Sequence, residues 1–115
     1  MVEYSPQQLD AVFGALADET RRRMLHLLAL GERTISELAA PFKMSLAGAS
    51  KHVKVLEKAG LIRRRVEGRT HICELEATRL AEAQRWIQHH EQLWNQRLDA
   101  LDALLTAEDE QNYPL

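Results

Sequence analysis

The sequence predicts a mainly α-helical fold that carries one small β-hairpin. Five stretches place apolar residues at helical spacing, the last of them about 28 residues long, and two β-prone segments flank a single glycine turn. At 115 residues there is room for one domain with a modest core, so residues 1–115 are expected to form a single unit.

Ser5 offers a capping hydroxyl and Pro6 a pre-set first helical residue, after which Leu9, Val12, Phe13 and Leu16 recur at helical spacing. Asp18 caps a second helix from Glu19 to about Leu30, with Met24, Leu25, Leu27 and Leu28 as buried positions and Gly31 as its stop. Thr34-Ile35-Ser36-Glu37 is a capping box that opens a short third helix. Pro41 ends or bends that helix near Ala40, because proline has no N–H to donate. Past the Met44-Ser45 turn, Ser45 caps a fourth helix that runs to about Ala59, before Gly60. Leu61–Val66 and Thr70–Leu75 pattern as two strands around the turn Glu67-Gly68-Arg69. A last helix runs from Thr78 to about Leu105, and the acidic tail from Glu108 to Tyr113 is expected to fray. Two short helices joined by a turn and followed at once by a basic hairpin have the order of a winged helix-turn-helix.

Composition excludes several classes. Nowhere do 18 apolar residues run together, so no membrane-spanning helix is expected. Met1–Pro6 has neither a basic start nor an apolar run, which points to a cytoplasmic protein rather than a secreted one. The one cysteine, Cys73, permits no intrachain disulfide and suits a reducing compartment. The chain shows no nucleophile–base pair, glycine-rich phosphate loop or metal cage, so neither an enzyme nor a cofactor is expected.

The net charge of −2 is unevenly divided. Between Lys43 and His71 stand eight basic and two acidic residues, a net +6, while seven basic and fifteen acidic residues elsewhere give −8. A basic segment inside an acidic chain suits a localised polyanion-binding face. At about 100° per residue, Ala49, Val53 and Leu56 of the fourth helix form a core stripe. Ala47, Lys51, Lys54 and Lys58 form a cationic stripe on the opposite side, flanked by Gly48 and Ser50. Small residues let a backbone approach a DNA groove, and lysines reach phosphates or guanine edges. Gly48 costs a helix interior roughly 1 kcal/mol relative to alanine, so something other than helix stability favours it. Arg63 and Arg65 share one strand face and Arg64 the other, while Arg69 at the hairpin tip can reach a flanking minor groove or backbone. Basic edge strands also deter sheet aggregation, but that does not account for the adjacent lysine helix.

The runs Phe13–Arg21 and Ser45–Ile62 resemble the ArsR-type (arsenic-repressor) winged-helix regulators, and Gly68-Arg69 followed by Leu75 is similar to that family's wing. The resemblance covers roughly Leu9 to Leu105 and implies a homodimeric repressor that binds double-stranded, palindromic operator DNA. It implies that Ser45, Ala47, Gly48, Ser50 and Lys51 face the major groove, and that the first and last helices form the dimer interface. With His52, Lys54, Lys58, Arg63, Arg65 and Arg69 these make up the expected DNA-binding set. Two departures bear on metals. Family metal sensors often carry Cys-x-Cys at the start of the third helix, where this chain has Thr34 and Ser36, whose hydroxyls are poor ligands for soft metals. A second family site uses acids and histidines of the last helix from both subunits. His89-His90-Glu91 lies there, but adjacent histidines diverge by about 100° on a helix and cannot share one facial site. A metal-independent repressor is therefore expected. A metal-responsive repressor using those histidines and acids, or a winged helix serving protein contacts alone, are the alternatives.

The last helix argues for a dimer by its length. Thr78 to Leu105 spans about 42 Å, longer than a compact domain of this size can cover. Leu80, Ile87, Trp94 and Leu101 stand seven apart, with Ala83, Trp86, His90, Leu98 and Leu105 beside them. Part of this stripe should pack on the first helix, and the excess should be covered by a two-fold partner. The dimerisation helices are thus 6–16 and 78–105, with contacts expected from Leu9, Val12, Phe13, Leu80, Trp86, Ile87, His90, Trp94, Leu98 and Leu101. Cys73 stands where the family commonly has tyrosine and is expected to pack inside. His52, at the edge of the core stripe, suits either a phosphate contact or local packing, and His26 a structural role. No residue pattern names an operator or a small-molecule effector.

Overall fold

The computed structural model describes residues 5–112, and the chain divides into two compact bodies, one ending at Ala83 and the other beginning at Gln84. Helix α1 (Pro6–Leu16) starts at Ser5, whose hydroxyl accepts from the Gln8 N–H while the Gln8 side chain accepts from the Ser5 N–H. Helix α2 (Glu19–Ala29) is capped by Asp18, whose carboxylate accepts from the Arg21 N–H at 3.0 Å. That bond holds the Asp18 carboxyl below its ordinary value.

A two-residue strand, β1 (Arg33–Thr34), comes next and was not anticipated. Two residues are too few to show an alternation, and only pairing with a distant strand defines them. Helix α3 (Ile35–Ala39) opens on the expected box, with Thr34 accepting from the Glu37 N–H and Glu37 accepting from the Thr34 N–H, both at 3.1 Å. Pro41 does not simply stop the chain. It sits at the start of a 3-10 turn over Ala40–Phe42, where a missing N–H is tolerated. Lys43 then turns left-handed (φ 54°) and leads into helix α4 (Leu46–Lys58).

The first strand of the hairpin is shifted by one residue from the sequence expectation, and the second has the expected bounds. Strand β2 is Ile62–Glu67 and β3 is Thr70–Leu75, with Glu67 opposite Thr70 and a tight turn at Gly68-Arg69. Gly68 has φ 61°, which a residue without a side chain adopts without strain. The antiparallel sheet has the order β1-β3-β2.

Helix α5 (Thr78–Asn112) continues through the segment expected to fray, as far as it is described; Tyr113 lies outside the described residues. Neither glycine nor proline interrupts it, and Ala107, Glu108 and Gln111 are good helix formers. Its 35 residues span about 52 Å.

The core of the first body gathers Val12, Met24, Leu38, Val53, Leu56, Leu61 and Cys73, all at most 2% exposed. Burial pushes the Cys73 thiol up. Val12 is thus spent inside its own chain and cannot serve the dimer contact expected of it. Leu9, Phe13 and Leu80 pack half-buried against the same core. His26 is exposed, which corrects its expected structural role. Glu82 is buried and paired with Arg79, which also reaches the Gln8 side chain at 2.8 Å.

The second body is the remainder of α5. Trp86, Ile87, Trp94, Leu98 and Leu101 are exposed on it, as are Leu93, Leu104 and Leu105. His90 stacks on Trp86 with ring centroids 4.0 Å apart, and its Nδ1 lies 3.0 Å from the Trp86 carbonyl oxygen. Among the described residues no helix is long and apolar enough to cross a membrane.

Candidate nucleic-acid interface

Helix α4 presents two opposite faces. Ala49, Val53 and Leu56 are fully buried, whereas Ala47, Lys51, Lys54 and Lys58 are exposed. Ser45 accepts from the Gly48 N–H at 3.0 Å, so its oxygen caps the helix at the end where Ala47 and Gly48 lie. A Cβ added at Gly48 would meet nothing closer than the Ser45 Oγ at 3.4 Å. The protein itself therefore has room for alanine there.

Two clamps hold the helix. Midway along it the His52 ring lies 3.3 Å from an Arg21 nitrogen and 3.9 Å from the Asp18 carboxylate. Arg21 in turn donates to the carbonyls of Ala15 and Gly14, at 2.8 and 3.2 Å. His52 therefore serves local packing in this structure, the second of the roles left open. At the helix's last turn Arg64 donates to both Glu57 oxygens, at 3.2 and 2.7 Å, fastening β2 to α4. This bond lowers the Glu57 carboxyl and raises the Arg64 guanidinium from their ordinary values. Neither clamp was foreseen, because a pairing between separate elements leaves no periodic trace in a sequence.

Beside α4 and the hairpin lies a cleft of about 420 Å³, lined by Leu46, Ser50, Ser36, Arg69, Thr70 and His71. Leu46, 57% exposed at the helix start, was missed as a surface residue; a leucine in a helical pattern ordinarily signals the core. Arg69 is exposed at the hairpin tip. Among the described residues Lys51, Lys54, Lys58 and Arg69 make no ion pair.

Arg63 and Arg65 differ. Arg63 reaches Glu76 at 3.2 Å and Glu74 at 3.9 Å. Arg65 pairs with Glu32 at 3.1 Å, with Glu67 at 3.0 Å and with Glu74. Those bonds raise the Arg65 guanidinium and lower the Glu32 carboxyl. The outer sheet face thus holds two guanidiniums among four carboxylates. The two arginines share a face as expected, and there they stand among carboxylates rather than as a free cationic surface.

Among the described residues no group of three or more histidines, cysteines and acids is placed to hold a metal ion. The Thr34 oxygen, at one of the family's cysteine positions, is the cap of α3.

A helix-turn-helix that turns a row of unpaired lysines outward, beside a hairpin with an arginine at its tip, defines a winged-helix DNA-binding regulator. A helix-turn-helix domain family matches residues 16–65. The transcriptional repressor SdpR of Bacillus subtilis is 32% identical over 79 residues, covering 69% of this chain and 88% of SdpR. A crystal structure of an ArsR family transcriptional regulator is 41% identical, with a TM-score of 0.75, covering 83% of this chain and 97% of that one. The homodimeric winged helix-turn-helix DNA-binding domain of a Mycobacterium bovis protein, solved in solution, is 26% identical with a TM-score of 0.59; the match covers 87% of this chain and 95% of that one. The chain belongs to the ArsR family of winged helix-turn-helix transcriptional regulators, a family of DNA-binding proteins and not of enzymes.

Proposed function

We propose that this chain is a homodimeric, metal-independent repressor that places α4 in the major groove of a palindromic operator and the Arg69 hairpin on the flanking backbone. The unpaired row of Lys51, Lys54 and Lys58, opposite the buried row of Ala49, Val53 and Leu56, carries the proposal. Ser45, Ala47, Gly48 and Ser50 line the close approach, and SdpR, the similar Bacillus protein, is itself a repressor. Dimerisation is supported by the bare apolar side chains of Trp94, Leu98 and Leu101, which water disfavours on a single chain, and by the homodimeric state of the Mycobacterium bovis domain. Metal independence is supported by the donors themselves. Thr34 and Ser36 offer hydroxyls where thiolates would be needed, and the His90 ring is stacked on Trp86.

The test is an operator-binding titration across salt concentrations, with duplexes recovered by selection from random sequence. Affinity should fall by about 0.9 log unit per log unit of salt for each phosphate contact, and binding unchanged between low and high salt would refute the proposal. The double variant Trp94→Glu/Leu101→Glu should sediment as a monomer and lose most operator affinity, because two linked half-sites become separate weak ones. A stoichiometric metal that abolishes operator binding, with the effect lost on substituting His89 and His90, would replace the metal-independent reading with the metal-responsive one.

A further inference from the structure

Helix α2 has a face used neither by the core nor by α4. Arg22, Arg23 and His26 are exposed along it and, with Glu19, wall a cleft of about 290 Å³. Its floor is apolar: Leu27 and Phe42, both half-buried against the core. The Arg23 guanidinium lies over the Phe42 ring, 5.0 Å from its centroid, and Arg22 donates to the Leu16 carbonyl at 2.7 Å. Among the described residues neither arginine has a carboxylate partner, whereas Arg63, Arg64 and Arg65 of the sheet all do. Two guanidiniums and an imidazole therefore stand at the mouth of an apolar cleft against the one carboxylate of Glu19.

We propose that this cleft binds a small aromatic carboxylate, its ring against Phe42 and Leu27 and its carboxylate on Arg23. An apolar floor with a few convergent polar groups is the usual make-up of a small-molecule site, and such sites run from roughly 300 to 1,000 Å³. Just below that range, this cleft suits one or two fused rings rather than a long acyl chain. With Arg23 over one face of Phe42, a flat ring can meet the edge of that aromatic side chain, and a guanidinium binds a carboxylate through two parallel hydrogen bonds. Phe42 ends the 3-10 turn and is followed by left-handed Lys43, so the occupant lies against the turn that leads into α4.

Isotope-labelled protein titrated with 2-naphthoate, followed by amide chemical shifts, tests this directly. Saturable shifts are expected at Arg23, His26, Leu27, Phe42 and Lys43, with a Kd on the order of 1 mM for so small a ligand. The neutral isostere 2-naphthamide should bind about ten-fold more weakly, and Arg23→Gln should weaken naphthoate to a similar degree. Because Arg23 is exposed, that variant keeps the fold, which its own spectrum verifies; Phe42→Leu, which keeps an apolar side chain but not the ring, should weaken binding as well. Equal binding of acid and amide, indifference to Arg23→Gln, shifts centred elsewhere or no saturation would each overturn the proposal.

Discussion

Two clusters of basic side chains follow one another in the chain, and the fold treats them differently. Among the described residues Lys51, Lys54 and Lys58 project from α4 without ion pairs, while Arg63 and Arg65, a few residues later, lie among Glu32, Glu67, Glu74 and Glu76. Counted along the sequence, both clusters add to the same net +6. In three dimensions only the first, with Arg69, leaves its charge free for a polyanion. Three of the four carboxylates, Glu32, Glu74 and Glu76, lie outside the basic segment, so a local count does not register them. Free charge, not charge density along the chain, marks the surface suited to DNA.

The largest effect expected from this contrast is on operator binding. Replacing Lys51, Lys54 and Lys58 together by alanine should lower the salt slope by about 0.9 per lost contact in each subunit, and weaken binding by orders of magnitude at moderate salt. The pair Arg63→Ala and Arg65→Ala should change affinity only a few-fold. If the arginine pair costs as much as the lysine triple, the carboxylate partners yield to DNA and the contrast fails.

Arg64 stands between the two clusters, and its expected effect is on stability. Arg64→Met removes the two-oxygen bond to Glu57 and should destabilise the fold by about 1 kcal/mol in a denaturant titration near neutral pH. Arg64 holds the Glu57 carboxyl below its ordinary 4.5, so the stabilisation is complete above that value and is lost as pH falls through the lower folded value. The difference between wild type and Arg64→Met should therefore shrink in acid. A difference independent of pH would assign the effect to packing instead.

Gly48→Ala separates binding from stability on α4 itself. With only ordinary van der Waals contacts awaiting a Cβ, it should stabilise the fold by about 0.5–1 kcal/mol while weakening operator binding through lost close approach. Tighter binding on the more stable helix would show that no groove wall lies against this position. The smallest effect is expected from Glu74→Gln, which touches both Arg63 and Arg65. Freeing part of their charge should raise affinity for nonspecific DNA a few-fold at low salt, with no change in selectivity.

Features set within a few residues of one another were legible in the sequence. The caps at Ser5, Asp18, Thr34 and Ser45, the two faces of α4 and the glycine of the hairpin turn depend on contacts three or four residues apart, and side-chain chemistry at those spacings announces them. Beyond that range the chain carries no comparable signal. Strand β1 exists because Arg33 and Thr34 meet Cys73 and Ile72, some forty residues away. His52 is held by Arg21, Arg65 by Glu32 and Val12 by the core, each across a separation that periodicity cannot span. Sequence alone therefore determined which residues are basic, apolar or suited to a cap. Only the tertiary structure decided which of the basic ones remain unpaired, because a charge is neutralised by whatever the fold brings within about 4 Å of it, however distant along the chain.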